Sequence, residues 1–144
     1  MGMTQDTIIP LLFKRRNCMS PEKCKQLIEI FPEAFADLHP MEPFALFGFE
    51  CGGGWFDLLK DLIGEVKLIC EKMGTSPEES GFKIVQVKQK YATLRFYTNV
   101  TTDAIDEAID RAEERSAITC ENCGKPGTLR HRGYWCYTAC DGCV

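Results

Sequence analysis

The chain has 144 residues, of which 44% are hydrophobic, 26% charged and 10% aromatic. This length and composition predict one ordinary globular domain and exclude wholesale disorder, collagen and coiled coil. The longest apolar runs, residues 8–13 and 44–49, are far shorter than the roughly 18 to 20 residues that a membrane-spanning helix needs, so we expect no transmembrane helix. The formal net charge of -4 argues against a chain that neutralises many phosphates, which makes a protein the better default partner than a nucleic acid.

The first part of the chain predicts a helical portion. Residues 4–16 carry an apolar cluster interrupted by Pro10, which predicts a short helix or an extended arm. Residues 20–22, Ser-Pro-Glu, provide an N-cap, a proline at the first helical position and an acid that favours the helix dipole. The helix that starts there should end near Ile30, because Pro32 cannot extend the hydrogen-bond ladder. The prolines of residues 32–47 indicate a short helix followed by a packed irregular segment.

The clearest helix of the sequence spans Trp55 to Met73. Its apolar residues recur at steps of three and four, and charged residues occupy the opposite face, so the helix should bury one stripe. Gly74 follows as a C-cap. The glycine run at 52–54 resembles an anion-binding helix start, but it lacks a following Lys-Ser/Thr and a clear preceding strand. We therefore interpret the run as a hinge into the helix.

Two β-rich runs, residues 82–88 and 93–99, follow with a connection around 90–92. They predict an antiparallel hairpin, with Leu94 and Phe96 on one face.

A further helix is expected over residues 103–117, capped by Thr102 or Asp103. Residues 101–119 contain six acids against two arginines, which equals the charge imbalance of the whole chain. We interpret these acids as a partner-binding surface and name them the acidic face: Asp103, Asp106, Glu107, Asp110, Glu113 and Glu114.

Nine cysteines in a chain whose first residues lack the basic stretch of a secretory signal do not indicate a disulfide framework, and we expect the protein in the cytoplasm. The spacing C-x2-C-x16-C-x2-C instead predicts a four-cysteine zinc site, because two tight turns can direct two thiolates each at one tetrahedral ion. Four thiolates leave no open position, so a structural Zn²⁺ is favoured over a redox or catalytic site. The predicted ligands are Cys120, Cys123, Cys140 and Cys143.

The segment between the paired cysteines can fold as a hairpin about Arg132-Gly133, which describes a zinc ribbon. Cys136 and His131 lie inside it and could in principle replace a ligand, but Cys136 has no paired partner and we interpret it as a hairpin side chain. The predicted fold class is therefore α+β, with helices packed on a small antiparallel hairpin. Residues 1–119 would form the body, and residues 120–144 the ribbon.

Two other functions remain open. The ribbon mixes cations with aromatic residues, a composition that stacks on bases and contacts phosphates, although an ordinary solvated hairpin tip is favoured for a net acidic chain. The residues concerned are Arg130, Arg132, Tyr134 and Trp135. An enzyme ranks third, because the chain has two histidines and no neighbouring Ser or Cys that suggests an activated nucleophile. We expect no enzyme.

Three motifs together carry a resemblance. The sequence GWFDLL at 54–59, VKQKYATLRFY at 87–97, and CENCGKPG at 120–127 with its closing C-x2-C resemble a family of small uncharacterised proteins of bacteriophages and prophages. The resemblance covers residues 48–144 and implies a phage accessory protein that acts inside a bacterial host, with no known active site. With the acidic face as a mimic of phosphate charge, we expect a non-catalytic protein that binds a host protein, such as an anti-CRISPR-like inhibitor of a defence system.

Overall fold

Helices and two small sheets alternate along the chain in the computed structural model, which describes residues 19–73 and 81–144. The predicted α+β class is confirmed. The interpretation of residues 4–16 and the C-cap assigned to Gly74 lie outside the described residues.

Three proline-initiated helices open the described part of the chain. They are α1 (Pro21–Ile30), α2 (Pro32–Phe35) and α3 (Pro43–Phe47). Ser20 caps α1 as predicted, its hydroxyl accepting a hydrogen bond of 3.3 Å from the Lys23 amide. The segment after α1 contains α3 as well as the expected short helix, because a proline at the first helical position costs no hydrogen bond and fixes a helical φ.

The long helix α4 spans Phe56–Lys72 and is preceded by a 3₁₀ turn at Gly53–Trp55. Its predicted apolar stripe is buried along most of its length, and Leu62 is only 2% exposed, but Ile69 is half-buried and Met73, at the end of the predicted stripe, is 49% exposed. Trp55, on the preceding turn, is 0% exposed, as expected for the start of this stripe. The helix therefore forms one wall of the core and packs against α1.

The main sheet has three strands in the order β1 (Phe49–Glu50), β2 (Ile84–Lys90) and β3 (Thr93–Thr98). β2 and β3 form the predicted antiparallel hairpin, and Leu94 and Phe96 are buried on its core face. The connection is a two-residue turn in which Tyr91 and Ala92 both have positive φ. β1 lies parallel to β2 and corrects the expectation that no strand precedes the glycine run.

The acidic helix α5 spans Asp103–Ser116, with the Thr102 hydroxyl as its N-cap. It packs on α4 and along the outer edge of β3, where the Ser116 hydroxyl accepts a hydrogen bond of 2.8 Å from the Leu94 amide. No helix within residues 19–73 and 81–144 is long and apolar enough to cross a membrane.

The ribbon follows α5 and forms a separate two-stranded antiparallel sheet, β4 (Thr128–Arg132) with β5 (Trp135–Ala139). The turn lies after Arg132, as predicted, and a final 3₁₀ turn covers Asp141–Cys143. None of the ribbon residues belongs to the main apolar core. The ribbon therefore lies outside that core, although its Cys120 and Ala139 are buried.

Candidate metal centre

The four predicted cysteines converge on one point. The sulfur atoms of Cys120, Cys123, Cys140 and Cys143 all lie within 4.8 Å of one another. The Cys123 and Cys140 sulfurs are 3.5 Å apart, close to the roughly 3.8 Å between thiolates that bind one tetrahedral ion at about 2.3 Å. The cluster can therefore hold a metal ion.

Tight backbone turns present these sulfurs. In the first turn the Gly124 amide donates to the Cys120 carbonyl at 2.9 Å, and in the second the Cys143 amide donates to the Cys140 carbonyl at 3.1 Å. Gly124 has a φ of 86°, a conformation that a glycine adopts without steric cost. The predicted turn geometry around the first cysteine pair is thus present.

N–H donors lie close to three of the four sulfurs. Burial opposes ionisation of Cys120, but backbone N–H groups of Cys140, Cys123 and Asn122 outweigh it and lower the pKa of this thiol to about 6. At Cys123 the Lys125 amide favours the thiolate, whereas desolvation and the three neighbouring sulfurs raise the pKa to about 11. The Asn122 side chain donates to the Cys143 sulfur at 3.2 Å. Crowded sulfurs with N–H donors are the environment of metal thiolates.

The first cysteine turn docks on the glycine run of the body. The Gly54 amide donates to the Glu121 carbonyl at 2.7 Å, and the Gly52 amide donates to the Glu121 carboxylate at 2.8 Å. The buried Trp55 indole N–H donates to the Thr119 carbonyl at 3.0 Å. The amides of Gly52 and Gly54 are therefore bound within the chain, one of them to a carboxylate, and the run joins the ribbon to the body besides leading into α4.

Close backbone packing explains why a glycine stands at this contact. A Cβ atom at Gly54 would lie 2.2 Å from the Cys120 carbonyl oxygen and 2.6 Å from the Glu121 carbonyl. Such distances require the cysteine turn to shift. The GGG sequence could have indicated this close approach, but nothing in the sequence pointed to the residues that approach it.

Two further hydrogen bonds hold the hairpin of the ribbon against β2 and its turn. The Gln89 amide group donates to the Cys136 carbonyl at 2.9 Å, and the Thr138 hydroxyl donates to the Ala92 carbonyl at 2.7 Å. Thr138 is buried at this contact. Polar contacts of this kind help to join the ribbon to the body.

The remaining cysteines and histidines of the described residues lie outside the cluster. Cys51 and Cys70 are buried, as predicted for small apolar side chains. Cys136 is confirmed as a hairpin side chain outside the cluster, with its sulfur 3.4 Å from the His131 ring nitrogen Nδ1. Cys18 falls outside the described part of the chain.

The two arginines of α5 do not neutralise its own acids. Arg111 bonds Glu65 of α4, and Arg115 bonds Asp61 of the same helix at 2.7 Å. Within the acidic face only Glu113 forms an ion pair among the described residues, with Arg95 at 3.0 Å. The other members are exposed: Asp103, Asp106, Glu107, Asp110 and Glu114.

The cationic and aromatic residues of the ribbon lie on one face of its hairpin. Register pairs Arg130 with Tyr137 and Arg132 with Trp135, so these four side chains share a face. Tyr134, in the turn, is fully exposed. Arg130 is bound to the Asp141 carboxylate at 2.7 Å, which reduces its availability to an external phosphate.

Comparison of the chain with family models, with curated proteins and with solved structures gives no match in any of the three.

Proposed function

We propose that the four cysteines bind one zinc ion whose role is structural. Zinc is preferred by four-thiolate tetrahedral sites, and full coordination by protein leaves no position for a water or a substrate. The observation that carries this proposal is the convergence of four sulfurs within 4.8 Å of one another. The N–H donors at Cys120 and Cys143 support it, because such donors stabilise thiolate charge.

The ion would stabilise the fold of the ribbon, as the apolar core stabilises the fold of the body. The ribbon adds no residue to the main core, so its folding free energy depends on hydrogen bonds and on metal binding. Because Gly52, Gly54 and Trp55 all bond the segment at 119–121, the ion also fixes the surface that covers the start of α4.

Metal analysis of the purified protein tests this role. We expect about one equivalent of zinc per chain, and loss of that zinc in Cys120→Ser and Cys143→Ser. Cys136→Ser is the matched control, because Cys136 lies in the same ribbon but outside the cluster, and it should retain the metal. Full zinc content in both ligand variants would refute the assignment.

We further propose that the protein is a non-catalytic binding protein that recognises a basic surface of another protein through the acidic face. Support comes from the pairing of Arg111 and Arg115 with α4, which leaves five acids exposed on α5. The resemblance to phage proteins suggests a bacterial host protein as the target, and an acidic mimic of phosphate charge suits a nucleic-acid-binding component of a defence system.

A pull-down from bacterial lysate, with and without nuclease, tests this proposal. We expect capture of a protein that survives nuclease treatment and is lost when Asp103, Glu107 and Glu114 are changed to lysine, because complementary charge steers association. Arg130→Ala with Arg132→Ala serves as the control and should leave capture unchanged. Capture that resists the charge reversal would contradict the role of the acidic face.

A second candidate is nucleic-acid binding by the ribbon. The observation that favours it is the shared face of Arg130, Arg132, Tyr137 and Trp135 beside the fully exposed Tyr134. If it holds, Arg132→Ala should lower affinity and flatten the salt dependence by about one unit for a lost phosphate contact. Undetectable nucleic-acid binding at low salt would eliminate this candidate.

A further inference from the structure

A groove of about 480 Å³ lies between the end of β3 and the N-terminal half of α5, away from the cysteine cluster. Its lining consists of residues 96–101 together with Asp106, Ile109 and Asp110. The groove contributes nothing to the proposed metal site.

One side of the groove is apolar and open. Tyr97 and Val100 are 45% and 47% exposed, which is high for such side chains, and the half-buried Ile109 lies beside them. A long aliphatic stem could cover this surface.

The other side is acidic. Asp106 and Asp110 are four positions apart on α5, so their side chains lie one above the other on the same face of the helix. Asp106 accepts a hydrogen bond of 2.6 Å from the Thr101 hydroxyl, which fixes its carboxylate at the groove. Neither aspartate forms an ion pair with any residue in 19–73 or 81–144.

The strand edge adds polar groups. The Leu94 amide donates outward to Ser116 and not to β2. In an antiparallel pair, alternate residues direct both backbone groups to the same side, so the N–H and C=O of Phe96 also face the outer edge, where the groove lies. Phe96, Asp106 and Asp110 line the same groove, so a backbone carbonyl on this edge adds an acceptor to its lining.

We propose that this groove binds an arginine side chain of a protein partner. The methylene stem would lie on Val100 and Ile109, with the Tyr97 ring beside the guanidinium plane, and the guanidinium would bridge Asp106 and Asp110. Arginine fits better than lysine, because its planar guanidinium carries five N–H donors and can donate to two carboxylates and a carbonyl at once. This inference rests on the proposed binding role of the acidic face. It adds that the partner is anchored there by one of its arginines.

An NMR titration of the ¹⁵N-labelled full chain tests the inference. The probe is a blocked Gly-Arg-Gly peptide, and the reference is the same peptide with citrulline, which has the shape of arginine without its charge. We expect shifts of the Tyr97, Val100 and Asp110 amides with the arginine peptide and at least about fivefold weaker binding of the citrulline and lysine peptides.

Asp110→Asn and Glu107→Gln form a matched pair, since both remove one charge from α5 but only Asp110 lines the groove. Asp110→Asn should weaken the arginine peptide about fivefold, and Glu107→Gln less than twofold. Equal effects of the two substitutions, or equal binding of the citrulline or lysine peptide, would overturn the groove site. The pull-down from lysate, compared between the parent chain and the variant with lysine at Asp103, Glu107 and Glu114, would then still test the broader role of the acidic face.

Discussion

Gly54 is the residue at which body and ribbon approach each other most tightly among the glycine contacts of the described residues. Its amide bonds the Glu121 carbonyl, and its missing side chain lets the Cys120 and Glu121 backbone approach to a distance that no Cβ atom tolerates. The neighbouring Gly124 approaches from the other side, where its own Cβ atom would lie 3.1 Å from the Gly54 carbonyl oxygen. Two glycines thus face each other across the contact.

Gly54→Ala should therefore destabilise the protein by about 1 to 3 kcal/mol, the usual cost of forcing an extra methyl group into packed backbone. Denaturant unfolding of the zinc-loaded protein measures this change. Gly64→Ala is the matched control, because Gly64 lies inside α4 with nothing within 4 Å of the added Cβ, and it should stabilise by about 0.5 to 1 kcal/mol. If both variants unfold at the same midpoint, the close contact at Gly54 is wrong.

The turn of the β2–β3 hairpin carries strain at Tyr91 and Ala92, whose φ values are 52° and 71°. Turns with positive φ at both central residues favour Asn-Gly, because other side chains pay a steric cost of about 1 kcal/mol. Tyr91 is exposed, so Tyr91→Asn should stabilise by roughly 0.5 to 1 kcal/mol. A lower thermal midpoint in the variant than in the parent chain would contradict this.

At the scale of the element, helix α4 has leucines on both its buried and its exposed face. Leu62 is 2% exposed and Leu68 is 56% exposed on the same helix. Leu62→Ala should cost about 2 to 5 kcal/mol, because the deleted atoms leave a cavity in the core. Leu68→Ala should change stability by less than about 0.5 kcal/mol, as surface substitutions do. Urea titration followed by far-ultraviolet circular dichroism compares the two, and equal losses would show that the buried stripe is misplaced.

Elements with strong local signals were predictable from the sequence. The start of α1 follows from one serine, one proline and one acid, and α4 follows from an apolar repeat over nearly five turns. The hairpin and the cluster of four cysteines follow from alternation and from spacing. The helix and hairpin signals each lie within one short segment of the chain, and the two cysteine pairs lie within one stretch of 24 residues.

Elements defined by distant contacts were not predictable. β1 has two residues, too few for alternation, and exists because Phe49 and Glu50 pair with Val87 and Lys88. The docking of Glu121 on the glycine run joins residues 69 positions apart. Glu113 counts as an exposed acid in the sequence but pairs with Arg95 on β3. Sequence periodicity carries no information on such pairings.

At the scale of the whole molecule, the proposed zinc site and the apolar core meet at Trp55. This residue is fully buried between the two, because its ring belongs to the core and its indole N–H bonds the segment that leads into Cys120. The only other tryptophan of the chain, Trp135, is 57% exposed on the ribbon. The fluorescence of Trp55 thus reports on the contact between body and ribbon, whereas Trp135 is in contact with solvent.

Removal of the metal should therefore be visible in Trp55 fluorescence once Trp135 is replaced. In Trp135→Phe, chelation should shift the emission to longer wavelength, because a ribbon without its ion loses the Thr119 and Glu121 contacts that cover the start of α4. Far-ultraviolet circular dichroism should keep most of its helical signal, since α4 and α5 pack on each other through contacts outside the ribbon. Adding zinc back should restore the original emission. An emission maximum that stays fixed while metal analysis shows the ion is gone would mean that the ribbon keeps its place without it, and that the hydrogen bonds of Gly52, Gly54 and Trp55 suffice.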